Sequence, residues 1–175
     1  MRALIVYSSP EGWAKRIATA VALGCAKAGV EATLQDLAEH KGVENYPPFG
    51  GLHKKQKIEA QLGDYSIVFV GFEMGAFSES RKIFDFIDSN DFSGRKVALF
   101  CSFEGKKSAL ERAAEMLAAR NASVLNTISL RLKGMVKHTL DETDLVRADA
   151  FGERSCNTAL SRHVFKENRK AAIEG

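Results

Sequence analysis

The sequence has little of what fixes a fold through covalent or metal links. It has three cysteines in 175 residues, Cys25, Cys101 and Cys156. They are far apart and odd in number, and no spacing suggests a zinc knuckle, a redox pair or a disulfide framework. They read as small apolar core residues. His40, His53, His138 and His163 are equally scattered, none at metal-ligand spacing from a cysteine or carboxylate, so no metal site is expected. The three prolines, Pro10, Pro47 and Pro48, all fall in turn-like contexts. No apolar run approaches the ~18 residues that a membrane span requires. The run after Met1-Arg2 is too short for the roughly 7–15 apolar residues of a secretory signal. A cytoplasmic protein with no membrane partner is therefore expected. The formal net charge of +3 is mild and argues against a strongly acidic or basic partner. Its excess lies near Lys54-Lys55 and in the tail (Arg162, His163, Lys166, Arg169, Lys170). With no recognition motif beside it, that cluster reads as solvated surface rather than a nucleic-acid site. There is no internal repeat, no low-complexity segment and no composition shift to mark a second domain.

What is present is the pattern of a single globular domain, 45% hydrophobic and 27% charged. Its organising stretch is Ala3-Leu4-Ile5-Val6-Tyr7-Ser8-Ser9-Pro10-Glu11-Gly12-Trp13-Ala14-Lys15. An apolar strand stops at serines, a proline and a glycine, and a helix over about 12–27 follows, with Trp13, Ile17, Val21 and Cys25 on one stripe. A helix that starts directly after a strand aims unpaired N–H groups and the positive end of its dipole at the turn, which makes a natural phosphate site; the alternative is an ordinary strand-to-helix connection with no ligand. Further strands are expected over about 30–37, 65–71, 97–101 and 123–132. Helices are expected over 54–62 (short and basic), 80–88, 108–120 and 139–160. The last two open on the capping-box patterns Ser108-Ala109-Leu110-Glu111 and Thr139-Leu140-Asp141-Glu142. Tyr46–Phe49 lies in a loop. The buried runs of the first, third and fourth strands suit a parallel sheet covered on both faces. The fold class expected is a three-layer α/β sandwich, with a domain over 1–160 and a basic tail over 161–175.

In such a sheet ligands bind beyond the carboxyl ends of the strands, where strand order reverses. Three glycine-bearing loops are expected there: Ser8–Ala14 with Gly12, Phe72–Ser80 with Gly75, and Ser102–Lys107 with Gly105. The second and third also carry Phe72, Phe77 and Phe103. An anion-binding turn flanked by flat apolar groups suits a mononucleotide with a flat ring. Packing of these aromatics against neighbouring loops is the alternative.

These pieces carry a resemblance. Ala3–Ser9 with Gly12, Asp36-Leu37, Tyr65–Gly71, Gly94–Phe100 and Phe151-Gly152 resemble the flavodoxin-like family over about residues 1–160. The resemblance implies a five-stranded parallel sheet of order 2-1-3-4-5, with FMN at the switch point. It implies electron transfer with a redox partner protein or a small-molecule electron acceptor. Apart from the resemblance, a homodimer is a possible further partner, although the oligomeric state is not readable from the sequence. In the family the first loop holds the FMN phosphate and the other two hold the isoalloxazine ring. Carried onto this sequence, the cofactor-binding residues are Ser8, Ser9, Glu11, Gly12, Trp13, Ala14, Phe72, Glu73, Met74, Gly75, Ser102, Phe103 and Gly105, with no catalytic residue.

The chain departs from the family pattern. Pro10, Glu11, Trp13 and Ala14 stand where threonine, threonine, asparagine and threonine are usual. Pro10 has no N–H to offer, Glu11 brings negative charge, and Trp13 and Ala14 remove side-chain donors. Each hydrogen bond to a charged group is worth about 1.5–3 kcal/mol, so several losses could weaken binding by orders of magnitude. In the second loop, Phe72 and Met74 could face a flavin, and Glu73 could accept from its ring N3–H. Two alternatives to the electron carrier follow. One is a flavin-free binding or regulatory module on the same fold. The other is an FMN-dependent NAD(P)H or quinone reductase, whose nicotinamide site is not visible in the sequence.

Overall fold

The computed structural model describes residues 1–37, 55–74, 77–103, 108–133 and 139–171, with the backbone alone for 77–80, 108 and 162–171. The strands are β1 (Arg2–Ser8), β2 (Glu31–Asp36), β3 (Ile67–Met74), β4 (Lys96–Phe103) and β5 (Ser123–Arg131). The helices are α1 (Trp13–Lys27), α2 (Phe77–Ser89), α3 (Ser108–Ala119) and α4 (Glu142–Ala171), with a 3-10 turn at Leu62–Asp64. All strand pairs are parallel, in the order β2-β1-β3-β4-β5. The expected sandwich and strand order are therefore present.

Two hydrophobic layers follow from the alternation of side chains along each strand. Ala3, Ile5, Tyr7, Phe69 and Phe100 point to one face, which α1 and α4 cover through Ile17, Val21, Phe151 and Cys156. Leu4, Val6, Val70, Phe72 and Leu99 point to the other, which α2 covers through Ile83 and Phe86 and α3 through Ala113 and Leu117. Covered on both faces, β1, β3 and β4 need unbroken apolar runs, and they have them. The edge strand β2 is nowhere fully buried, in keeping with its mixed composition.

Helices α1 and α4 meet almost backbone to backbone. A Cβ on Gly24 would lie 2.0 Å from the Asp149 carbonyl oxygen, and one on Gly152 would lie 2.4 Å from that of Val21. Glycine at these two positions is what permits so close a crossing.

Several boundaries differ from expectation for visible reasons. The basic helix expected over 54–62 does not form among residues 55–61. Its backbone N–H groups are instead taken in alternation by side chains at the end of α2 and just beyond it. Gln56 donates to Asp85 (2.9 Å), Ile58 to Ser89 (3.2 Å) and Ala60 to Asn90 (2.8 Å). A two-residue period holds the segment extended, and Ile58 is buried by it. The expected capping box at Thr139 also fails. Thr139 exchanges backbone bonds with Lys133, and Asp141 caps α4 by accepting from the Asp144 N–H at 2.9 Å. Helix α4 continues to Ala171, past the stop expected near Leu160, and α2 begins at Phe77 rather than Ser80. Strands β3 and β4 run on to Met74 and Phe103, so Phe72–Met74 and Ser102-Phe103 belong to strands, not loops. The Ser108 side chain, Tyr46–Phe49, Gly75 and Gly105 lie outside the described residues.

Candidate functional site: an anion cradle filled from within

The turn between β1 and α1 is shaped by Gly12, whose φ of 91° is a left-handed conformation that side-chain-bearing residues resist. It stands at the N-cap of α1 and offers no side chain to the first N–H groups of the helix. Those donors need an acceptor. The neighbouring strand supplies it. Strand β3 lies beside β1 in a register that sets Ser8 against Phe72, and the next residue is Glu73.

The Glu73 carboxylate enters the turn. Its Oε1 accepts from the Ser9 hydroxyl at 2.6 Å and from the Ala14 N–H at 2.8 Å, while Oε2 accepts from the Glu11 N–H at 2.9 Å. Ser9 Oγ in turn accepts from the Lys15 N–H at 2.9 Å. Glu73 is 5% exposed. Bonds from neutral donors to an ionised acceptor are among the stronger ones, and the positive end of α1 adds to them. This is the geometry of an anion site at a helix N-terminus, with the anion supplied by the chain itself.

The other candidate residues are distributed around this contact. The Glu11 side chain is exposed, so its acidic group faces solvent and its backbone N–H does the binding. Trp13 is half-buried against the α1–α4 layer, with the Arg16 guanidinium 5.5 Å from its ring centre. Ala14 is buried. Glu73 does not stand ready for a flavin ring, as expected of it; its carboxylate is turned into the connection between β1 and α1. Phe72 points to the opposite face of the sheet, fully buried and 6.4 Å from Phe84, so it packs in the core instead of facing a ligand. Met74 packs in that same layer. Ser8 is buried at the end of β1. Ser102 is paired in register with Glu73, and its buried hydroxyl has no hydrogen-bond partner among the described residues. Phe103 is half-buried at the end of β4.

Sequence reasoning found the turn and found Glu73, but assigned Glu73 a different partner. A usable signal was present. Residues 10–14 of the turn carry neither a hydroxyl nor a cation, while an acid stands near the carboxyl end of the adjacent strand. Among the described residues no cluster of His, Cys, Asp or Glu is arranged to hold a metal ion, and no helix is long and apolar enough to cross a membrane.

A flavin phosphate would have to take the donors that Glu73 holds. Two unit charges about 4 Å apart repel by about 4 kcal/mol at an effective dielectric constant of 20, roughly a thousandfold in affinity. The residues present therefore do not fit the FMN phosphate while Glu73 occupies the turn.

The comparisons agree with the fold. No family model and no curated protein sequence matches the chain. Among solved structures, a flavodoxin from the domain Archaea superposes with a TM-score of 0.63 at 16% identity, over 91% of this chain and 99% of that one. Oxidised flavodoxin 1 from Bacillus cereus gives 0.66 at 19% identity, over 90% and 98%. The flavodiiron core of Flv1 from Synechocystis gives 0.67 at 15% identity, over 93% of this chain and 36% of that longer one. The chain has a flavodoxin-like fold.

Proposed function

We propose that this protein is a flavodoxin-fold binding or regulatory module that works without a resident FMN. The observation that carries the reading is the Glu73 carboxylate on the Ser9 hydroxyl and the Glu11 and Ala14 N–H groups. Those are donors that a phosphate at this turn would use, and an internal acid satisfies them without a ligand. The burial of Phe72 on the far face of the sheet supports it too, because one of the expected ring contacts is spent in the core.

A second reading is an FMN-loaded electron carrier serving a redox protein or a small acceptor. Similarity of fold to flavodoxins favours it, as do the Glu11 and Ala14 N–H groups of the turn, which could receive a phosphate if Glu73 swung out. Fold alone does not decide between the two.

The deciding experiment is a titration of FMN with the purified full-length protein, read by flavin fluorescence. The first reading expects a colourless protein and no saturable quenching at tens of micromolar. Saturable quenching in that range, or yellow protein as isolated, overturns it and leaves the electron carrier. An FMN-dependent reductase would further require NADPH oxidation above that of free FMN.

A further inference from the structure

The sequence offers no cysteine pair, yet the fold makes one. Cys25 on α1 and Cys156 on α4 are 131 residues apart in the chain, both are fully buried, and their Sγ atoms are 3.4 Å apart. Spacing along the chain could not show this, because the contact exists through the packing of two helices distant in sequence.

The backbones of the two helices come close together beside the pair. A disulfide needs Cα atoms about 4.4–6.8 Å apart, closer than most helix pairs allow. Gly24 stands next to Cys25, and Gly152 is one helical turn before Cys156. These are the two glycines at which α1 and α4 come into backbone contact. The sulfurs need close by only about 1.4 Å to reach bonding distance, a shift within reach of small rotations of two side chains. Lys27 and Asp149 add an ion pair across the same helix crossing.

We propose that Cys25 and Cys156 are a thiol pair that oxidises to a disulfide, clamping α4 to α1. The oxidant is a small hydroperoxide, which a transient opening of the helix pair admits more readily than a bulky disulfide. One thiolate attacks the peroxide oxygen, giving a sulfenic acid and releasing water or the corresponding alcohol. The second thiol then displaces the sulfenic oxygen, forming the S–S bond and releasing one molecule of water. Two electrons and two protons leave the pair, and the peroxide accepts them. The hydrogen bond between the two sulfurs, and then burial, push the Cys25 thiol far up, while the same bond lowers that of Cys156, so the two titrate as one coupled pair. Cys101 lies in the other hydrophobic layer and is no part of the pair.

The test is treatment of the reduced full chain with hydrogen peroxide, followed by alkylation and mass spectrometry of a proteolytic digest. The expected product is monomeric, with a peptide joining Cys25 to Cys156 and Cys101 alkylated. Its melting temperature should exceed that of the reduced protein by about 5–15 °C, because the bond closes a long loop, and dithiothreitol should reverse the rise. The Cys101→Ala variant should behave identically, and Cys156→Ala should give no cross-link. Three alkylated thiols after oxidation, a cross-link through Cys101, or over-oxidation of Cys156 without bond formation would each overturn the proposal. Should Cys156→Ala fail to fold, the peptide map of the Cys101→Ala protein decides alone.

Discussion

Ser9 and Glu73 are 64 residues apart in the chain, and the Ser9 hydroxyl donates to the Glu73 carboxylate across 2.6 Å. The same carboxylate binds two backbone N–H groups of the turn. An acid from β3 thus does for the start of α1 what a capping side chain or a bound phosphate would otherwise do. The first predictions follow from this contact.

Glu73→Ala should leave the Ala14 N–H buried with its acceptor gone. A lost bond to a charged group costs about 1.5–3 kcal/mol, and water entering the vacated space recovers part of three such losses. A destabilisation of about 2–4 kcal/mol is expected in urea unfolding. Inorganic phosphate or FMN should restore part of it in the variant and leave the native protein unchanged. A variant as stable as the native chain, or equal stabilisation of both by phosphate, would contradict the role assigned to the carboxylate.

Ser9→Ala removes a donor to Glu73 and the acceptor for the Lys15 N–H together. Because this side chain is partly exposed, water can replace it, and the loss should be smaller, about 1–2 kcal/mol. Combined with Glu73→Ala the effects should be less than additive, since both act on one network. Strict additivity in a double-mutant cycle would show that the two residues do not act through each other.

Gly24→Ala and Gly12→Ala separate crowding from backbone strain. The added Cβ at Gly24 meets the Asp149 carbonyl at 2.0 Å, so α1 and α4 must part, and a loss of at least about 2–3 kcal/mol is expected. At Gly12 nothing lies within 4 Å and the strain of φ 91° remains, worth about 1–2 kcal/mol. Chemical denaturation should therefore rank Gly24→Ala well below Gly12→Ala. The reverse order would mean that the helix crossing is looser than described.

Asp141 gives the start of α4 a sensitivity to acid. Its hydrogen bond with Lys133, and then the Asp144 N–H that it caps, hold its carboxyl below the ordinary value of 3.8. A carboxyl lowered in the folded state contributes stability that is complete above the unfolded value and is lost as pH falls through the folded one. The contribution should therefore persist at neutral pH, begin to fall away near pH 3.8 and be lost only below the still lower folded value. Asp141→Asn should lower the melting temperature by a few degrees at pH 7, and the difference from the native protein should shrink as the pH is taken below that value. A constant difference across that range would assign the effect to something other than the charge.

The sheet was legible in the sequence because its causes are local. Unbroken apolar runs at Ile5, Phe69 and Leu99 mark strands covered on both faces, and the stripe through Ile17, Val21 and Cys25 marks a helix with one buried side. The turn at Gly12 was legible for the same reason, since a strand, a glycine and a helix in succession leave unpaired donors whatever lies nearby. Which group would meet those donors was decided by tertiary structure. Glu73 reaches them because β3 docks beside β1 in one particular register and alternation turns residue 73, not 72, toward α1. The nearness of Cys25 to Cys156 has a like origin, because the two helices cross where glycines let their backbones touch. Periodicity carries the interactions of neighbours along the chain. Contacts between residues 64 or 131 positions apart depend on the register and crossing of whole elements, and those exist only once the chain has folded.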